Sequence, residues 1–247
     1  WDIPTNRCIA EFSTNIFYPS ASIQSTSHDM TSEFWLPIAS NIDRAFYRLE
    51  FGLQVVRIPD AAFRSMVVSN ISIKHMPTNE IYDIDITNIA TLVGSFNGIT
   101  DLEGLQYCAG IQNINFYENH VTNIPLLTTL TYLTNVTMNR TMLRDLSAFA
   151  HVSSLNHLEL SENDLVDISH IATATNLQFL IAAYGAVTNI NSLASLTSLS
   201  ELWLAGNQIR DFSSISGLTN MITLAIERNP AWDLSPLTNM NRLTKLY

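Results

Sequence analysis

The segment LSELWLAGNQIRDFSSISGLTN, Leu199–Asn220, decides how this chain folds. It is one copy of a 22-residue repeat that continues to the last residue without an insertion or a deletion. The full copies begin at Ile89, Ile111, Leu133, Leu155, Leu177, Leu199 and Met221, and an eighth begins at Leu243. A fixed period of this length predicts a solenoid, in which each copy packs only on its two neighbours.

The pattern within a copy, L-x-x-L-x-L-x-x-N, is the signature of a leucine-rich repeat. Positions 1, 4 and 6 are expected to point inward, and positions 3, 5 and 7 lie on the opposite face of a short strand. Position 13 is Asp or Asn in all seven full copies and is expected to cap a short helix. That helix is confined to a few residues before the apolar position 17, which favours a 3₁₀ helix. We therefore predict an α/β repeat solenoid with parallel strands on its concave face and 3₁₀ or loop structure on its convex face.

Asparagine at position 9 is suited to a tight turn, because its amide both donates to and accepts from the backbone. Thr141 and Gly185 depart from it, so we expect the turns in those two copies to be less well held.

The repeats define three zones: an N-terminal extension of unknown role at residues 1–56, a helical cap at 57–88, and the leucine-rich repeats at 89–247. Within the cap, Pro59 and Asp60 stand where a helix can begin, followed by an apolar stripe that includes Phe63 and Met66. A solenoid needs such a cap, because its first repeat would otherwise leave one face in water.

Two further expectations concern the ends of the chain. In the extension, Ile42, Phe46 and Leu49 recur at helical spacing after Pro37, which predicts a helix there. At the other end Tyr247 falls inside a repeat strand, so we expect the natural protein to continue or another element to cover this edge.

Composition excludes several classes of function. The chain is 47% hydrophobic, which is too apolar for disorder, and its net charge is −10 with only 12 Lys and Arg residues. Because those residues form no basic run, we expect neither nucleic acid nor an anionic membrane as a partner, and no apolar run predicts membrane insertion. The sequence carries no catalytic or cofactor-binding motif, so we predict no enzyme activity, no catalytic residue and no cofactor.

The candidate metal ligands and cysteines favour structural roles. Asn79, Glu80, Asp83 and Asp85 supply the oxygens that calcium prefers, but their spacing fits a solvated turn better than a metal site, and no metal is predicted. Cys108 occupies position 20, which is apolar in the other copies, so burial as a small hydrophobic residue is favoured. A Cys8–Cys108 disulfide stays open for an extracellular chain.

Several stretches resemble the bacterial internalin family: NQIRDFSSISGLTN, DLSPLTNM and DLEGLQYCAG in the repeats, and IPDAAFRSMVVSNI in the cap. Together with the lead-in to the first repeat they span residues 57–247, about three quarters of the chain. The resemblance implies a surface-exposed or secreted bacterial protein, with a role in cell adhesion or virulence, that binds a host protein through its concave face. Residues 1–56 have no counterpart in that family, and the sequence contains no immunoglobulin-like module or wall-anchor motif, so the mode of anchoring stays open.

The outward strand positions locate a candidate binding site. They are small and polar in the first three copies, whereas the fifth and sixth copies place Phe179, Ile181 and Trp203 side by side. Exposed apolar clusters mark interaction sites, and the acidic flank suits a basic or mixed partner surface. His157 and Glu159 are expected to touch as a surface pair without catalytic chemistry. The predicted partner-binding residues are Tyr117, His157, Glu159, Phe179, Ile181, Tyr184, Glu201, Trp203 and Glu227.

Other interpretations stay open. The apolar cluster would also be explained if residues 1–56 or a further C-terminal module covered it, with no partner protein bound there. A different class of function is a regulatory scaffold that binds an intracellular enzyme such as a protein phosphatase, although that class lacks a cap of the IPDAAF type. A third is a repeat segment attached to a catalytic domain. The full gene distinguishes these three functions. A signal peptide with a wall anchor favours a monomeric adhesin that recognises a host surface receptor, and a flanking catalytic motif favours the third.

Overall fold

A computed structural model of the protein describes residues 32–35, 48–51, 54–72 and 80–247. The chain divides into two units, residues 1–54 and residues 55–247. In the first unit β1 (Ser32–Trp35) pairs with β2 (Arg48–Phe51) in antiparallel register. Leu49 therefore lies on a strand, and the predicted helix is wrong at this residue; Ile42 and Phe46 lie outside the described residues. The zone boundaries at residues 56 and 88 stay predictions.

The second unit begins with two helices ahead of the repeats. α1 (Ala61–Asn70) starts where Asp60 Oδ1 accepts a hydrogen bond from Phe63 N at 2.8 Å. Phe63 is fully buried, and its ring meets Phe116 of the second copy edge to face at 6.1 Å. The short α2 (Asp83–Ile86) is capped by Asp85, whose Oδ2 accepts from Tyr82 N at 3.0 Å. α1 thus supplies the cap over the first repeats that the sequence predicts.

Asp60 also joins the cap to the first repeat. Its Oδ2 accepts hydrogen bonds from Thr100 N at 2.8 Å and Thr100 Oγ1 at 2.9 Å. Burial alone would raise the pKa of this carboxyl, but the hydrogen bonds from Phe63, Thr100 and Asp101 outweigh it and lower the pKa below the ordinary 3.8. The folded cap therefore favours the ionised form of Asp60.

Eight short strands form one parallel sheet along the repeats. They are β3 (Thr91–Val93), β4 (Asn113–Asn115), β5 (Asn135–Thr137), β6 (His157–Glu159), β7 (Phe179–Ile181), β8 (Glu201–Trp203), β9 (Thr223–Ala225) and β10 (Lys245–Leu246). Each residue pairs with the residue 22 positions further along, as Leu180 pairs with Leu202. The sequence period is therefore also the register of the sheet, and the predicted fold class is confirmed.

The interior of the solenoid is a continuous apolar core. In the seven full copies positions 1, 4 and 6 are buried as predicted; in the sixth copy Leu199, Leu202 and Leu204 are fully enclosed. The opposite side carries short 3₁₀ helices: Leu105–Tyr107, Ser147–Phe149, Ser169–Ile171, Asn191–Ser195, Ser213–Ile215 and Ser235–Leu237. The position-13 side chain stands just before each of them and accepts from the N–H two residues on, as Asp211 does from Ser213 N at 2.7 Å. The predicted 3₁₀ convex side and its caps are confirmed in six of the seven full copies. In the second copy, residues 111–132, the prediction is wrong: no 3₁₀ helix forms there, and the residue two positions after Asn123 is Pro125, which has no N–H to donate.

Buried asparagines at position 9 connect adjacent repeats. Asn163 is 5% exposed; its Oδ1 accepts from Thr141 N at 2.9 Å and Leu143 N at 3.0 Å, and its Nδ2 donates to Met138 O and Leu160 O. Thr141, which we expected to hold its turn poorly, is fully buried and donates through Oγ1 to Met138 O at 2.8 Å. The expectation of a poorly held turn is wrong for Thr141, because its hydroxyl makes one of the hydrogen bonds that an asparagine amide makes in the other copies. Gly185 has no side chain that could make such a bond.

The residue at position 8 adopts positive φ in every full copy. These residues are Phe96, Glu118, Arg140, Glu162, Tyr184, Gly206 and Arg228, with φ between 54° and 67°. A side chain in this region costs about 1–2 kcal/mol relative to glycine. The row runs along one rim of the concave face, where Arg140 Nε lies 2.9 Å from Glu162 and Arg140 Nη1 3.5 Å from Glu118.

The remaining predictions about special residues have simple outcomes. Cys108 is buried, and desolvation raises the pKa of its thiol to about 12; Cys8 lies outside the described residues. Among residues 54–72 and 80–247, His, Cys, Asp and Glu form no group of three that could hold a metal ion. Within the same part of the chain, no helix is long and apolar enough to cross a membrane.

Candidate protein-binding face

Two rows of outward side chains cross the C-terminal half of the concave face. The position-5 row places Glu159, Ile181 and Trp203 on adjacent strands. The position-3 row places His157, Phe179 and Glu201 beside them in the same order. Adjacent strands lie about 4.8 Å apart, so these six side chains form one continuous surface. The parallel register thus brings Phe179, Ile181 and Trp203 together as their sequence positions predict.

Trp203 stacks on Tyr247 across a small residue. Tyr247 follows β10 at position 5 of the eighth copy, and Ala225 occupies that position in the copy between them. Because Ala225 is small, the rings of Trp203 and Tyr247 approach to 5.6 Å between centroids with an interplanar angle of 25°. Ala225 lies between the two rings, and it is 0% exposed although it lies on the outer face of the strand. Tyr247 therefore belongs to the aromatic surface, and the sequence analysis did not include it.

The indole of Trp203 carries an unused hydrogen-bond donor. Nε1 is buried and has no hydrogen-bond partner among the described residues. A buried Trp N–H ordinarily finds an acceptor, and leaving it without one costs about 1–3 kcal/mol.

His157, Glu159 and Phe179 form the other end of the aromatic surface. His157 Nε2 lies 2.7 Å from Glu159 Oε1, and the other carboxylate oxygen accepts from Asn139 Nδ2 at 2.8 Å. The imidazole also lies against the ring of Phe179, with centroids 5.5 Å apart. These contacts hold three side chains in fixed orientations, which lowers the entropy cost of binding a partner. The arrangement contains no nucleophile and is a surface contact.

Tyr184 lies along the rim next to this surface because the following copy carries glycine. Gly206 has φ +67°, and a Cβ built there would stand 2.6 Å from Tyr184 Cδ1. The Tyr184 ring therefore occupies the space that a side chain at residue 206 would need. Tyr184 itself has φ +57°, an unfavourable backbone conformation for a residue with a side chain. Burial of the ring does not offset this cost in full, because Tyr184 is 50% exposed.

The remaining predicted site residues differ in how close they lie to Trp203. Glu201 is on β8 with Trp203, and Glu227 is exposed at position 7 of the next copy. Tyr117 lies four strands from Trp203, a separation of roughly 19 Å. It packs instead against Phe96, with centroids 5.2 Å apart, and the Arg140 guanidinium lies 5.9 Å from its ring centroid. Tyr117 is thus part of a separate group of side chains near the N-terminal end of the sheet.

A parallel strand every 22 residues, the asparagines between repeats and the 3₁₀ convex side define this chain as a leucine-rich repeat protein. The concave sheet face with its preorganised aromatic surface is that of a protein-binding module.

Comparison with known proteins shows which leucine-rich repeat proteins this chain resembles. The sequence matches no family model and no curated protein. A crystal structure of internalin C2 from Listeria monocytogenes is 27% identical, and the alignment covers 76% of this chain and 93% of that one with a TM-score of 0.58. Internalin F from the same organism is 25% identical over 76% of this chain and 68% of its own, with a TM-score of 0.55. The chain is therefore an internalin-like leucine-rich repeat protein, and the predicted resemblance is confirmed.

Proposed function

We propose that this protein is a bacterial surface or secreted adhesin with a role in virulence, which acts as a monomer and binds a host surface protein through its concave face. It works by recognition and not by catalysis. The partner rests on the surface formed by Phe179, Ile181, Trp203 and Tyr247, with Tyr184 on the rim. The likeness to internalins C2 and F supports the class of function and its location outside the bacterial cell.

The observation that carries this proposal is the state of Trp203. Its ring is partly exposed and stacked on Tyr247, and its Nε1 lacks an acceptor within the described residues. Tryptophan is among the residues most enriched at the energetic centres of protein interfaces, where truncation costs 2 kcal/mol or more. A fixed, partly exposed ring offers a partner a large apolar contact at little cost in side-chain entropy.

The carboxylates around the ring favour a partner with basic or mixed charge. Glu159 of the fourth copy is held by His157 and Asn139, while Glu201 and Glu227 stand on the sixth and seventh copies. Exposed charges of this kind raise the association rate more than the final affinity, and salt screens them. We therefore expect added salt to slow association with the partner, with less effect on dissociation.

The experiment is a pull-down from a host epithelial membrane extract with immobilised wild-type protein and three variants. Trp203→Ala and Phe179→Ala/Trp203→Ala remove the proposed contacts. Trp232→Ala is the matched control, because this tryptophan is 89% exposed and lies outside the strands. We expect a host protein retained by the wild type and by Trp232→Ala, and lost from the double variant of verified fold. Equal retention by all four proteins would refute the proposed surface.

A further inference from the structure

A second concave feature lies beside the strands, on the side where each strand begins. It is an open groove with a volume of about 570 Å³ that crosses three successive copies, the third to the fifth. Its lining residues come from the last position of one copy and the first positions of the next: Thr134, Asn135, Ser154, Asn156, Asn176, Gln178 and Ser198. None of the aromatic residues proposed to bind a protein lines this groove.

Every lining side chain is an amide or a hydroxyl. None is ionisable and none is apolar, although the chain as a whole is 47% hydrophobic and carries 34 charged residues when its 12 basic and 22 acidic side chains are combined. A charged ligand would find no opposite charge here, and an apolar ligand would leave the polar groups without partners, at a cost for each one. The groove is therefore suited to a neutral ligand that is rich in hydrogen-bonding groups.

Existing hydrogen bonds orient several of these side chains. Ser154 Oγ donates to Leu133 O at 2.7 Å, so its oxygen lone pairs stay available as acceptors. Asn176 Nδ2 donates to Ser153 O at 3.0 Å, which fixes the plane of that amide. The Gln178 side chain makes no hydrogen bond to the other described residues, and its exposed amide offers both donors and an acceptor.

We propose that this groove binds a neutral oligosaccharide. Sugar hydroxyls each donate and accept a hydrogen bond, and side-chain amides match this because they present a donor and an acceptor in one plane. Asn156 and Gln178 occupy equivalent positions on adjacent copies, and copies lie about 4.8 Å apart, a spacing comparable with the length of one pyranose residue. Successive sugars along a linear chain would therefore meet equivalent amides.

An exposed aromatic residue stands at one end of the groove. Tyr132 is 64% exposed and occupies the position in its copy that Ser154, Asn176 and Ser198 occupy in theirs. The electron-rich face of an aromatic ring attracts the C–H groups of a sugar ring, which carry slight positive charge. Tyr132 would thus stack on a terminal sugar, which would explain why so large an aromatic side chain is exposed.

The test is isothermal titration of the complete chain with three neutral probes, maltohexaose, cellohexaose and chitohexaose, and with an acidic hyaluronan hexasaccharide. We expect at least one neutral probe to bind with a Kd below about 1 mM. The double variant Asn156→Ala/Gln178→Ala should bind that probe about tenfold more weakly, because two neutral hydrogen bonds are lost. Gln208→Ala is the control, since Gln208 is also an exposed glutamine but stands at position 10, beyond the other end of its strand, and does not line the groove.

Each outcome decides the proposal. Weaker binding by the double variant with unchanged binding by Gln208→Ala supports it. No heat from any neutral probe, tighter binding of hyaluronan, or equal binding by the double variant overturns it. Phe179→Ala/Trp203→Ala should bind the neutral probe as the wild type does. A failure of the protein-binding proposal is therefore distinguishable from a failure of this one.

Discussion

The substitution Asn163→Ala tests the role of the asparagines between repeats. Asn163 accepts from Thr141 N and Leu143 N, and the substitution leaves both N–H groups without their side-chain acceptor in a region that is almost completely buried. Each buried donor without a partner costs about 1–3 kcal/mol, and a water molecule that enters the new space would recover part of this. Met138 O keeps the hydrogen bond from Thr141 Oγ1. We therefore expect a loss of about 3 kcal/mol in the free energy of unfolding.

The measurement is urea denaturation at 25 °C, followed by circular dichroism and by tryptophan fluorescence. Coincident transitions are required, because repeat proteins can unfold in stages. Asn97→Ala is the matched control: Asn97 occupies the same repeat position but is exposed in the first copy, so its loss should cost less than about 0.5 kcal/mol. A loss below about 1 kcal/mol for Asn163→Ala, or equal losses for the two variants, would refute the reasoning.

Three other predictions concern the rim, the cysteine and the cap. Gly206→Ala should lower stability by about 1–2 kcal/mol, because residue 206 has positive φ and the new Cβ meets Tyr184; Gly217→Ala, where nothing lies within 4 Å, should be neutral in the same denaturation assay. Cys108 should resist iodoacetamide in the folded protein and react after unfolding, as peptide mass spectrometry would show; rapid labelling of the native state would contradict its burial and raised pKa. Asp60 has a lowered pKa in the folded state. Its contribution to stability is therefore present above the unfolded pKa and is lost as the pH falls through the folded pKa. The free energy of unfolding, measured against pH, should fall less steeply in acid for Asp60→Ala than for the wild type.

The repeat made most of the fold predictable. Once the period is 22, apolar positions 1, 4 and 6 determine which side of each strand is buried, and the parallel register follows because equivalent residues stack. Asp60 and six of the seven position-13 caps were also predictable, because capping depends on nearby sequence; at Asn123 the nearby Pro125 removes the N–H that the cap would need. In the first unit the same approach failed at Leu49, where helical spacing of a few apolar residues did not prevent a strand.

Other features of the concave face depend on contacts between copies. The stack of Trp203 on Tyr247 forms because the intervening Ala225 is small, and the sequence analysis treated each copy separately. The positive φ at position 8 has one sequence signal, Gly206, but the other copies carry Phe, Tyr, Glu or Arg there. Tyr117 was placed in the candidate site because it is aromatic and holds an outward position, although its copy lies four repeats before that of Trp203.

The polar groove was missed for a different reason. Its residues are ordinary surface types, and each taken alone indicates only a solvated loop or strand end. The signal is the uniformity of seven neighbouring side chains, which appears only when the last position of one copy and the first positions of the next are viewed together. Aligning the copies column by column would have revealed the uncharged rows.

The most direct test of the account is photo-crosslinking to a host epithelial membrane surface. Phe179 is replaced by p-benzoylphenylalanine, which retains an aromatic ring on the proposed surface, and the same residue is placed at Trp232 as the control. The account predicts a discrete adduct from residue 179, lost when Trp203→Ala is added, and none from residue 232. An adduct from residue 232 alone, or equal adducts from both positions, would contradict the claim that the concave face binds the partner.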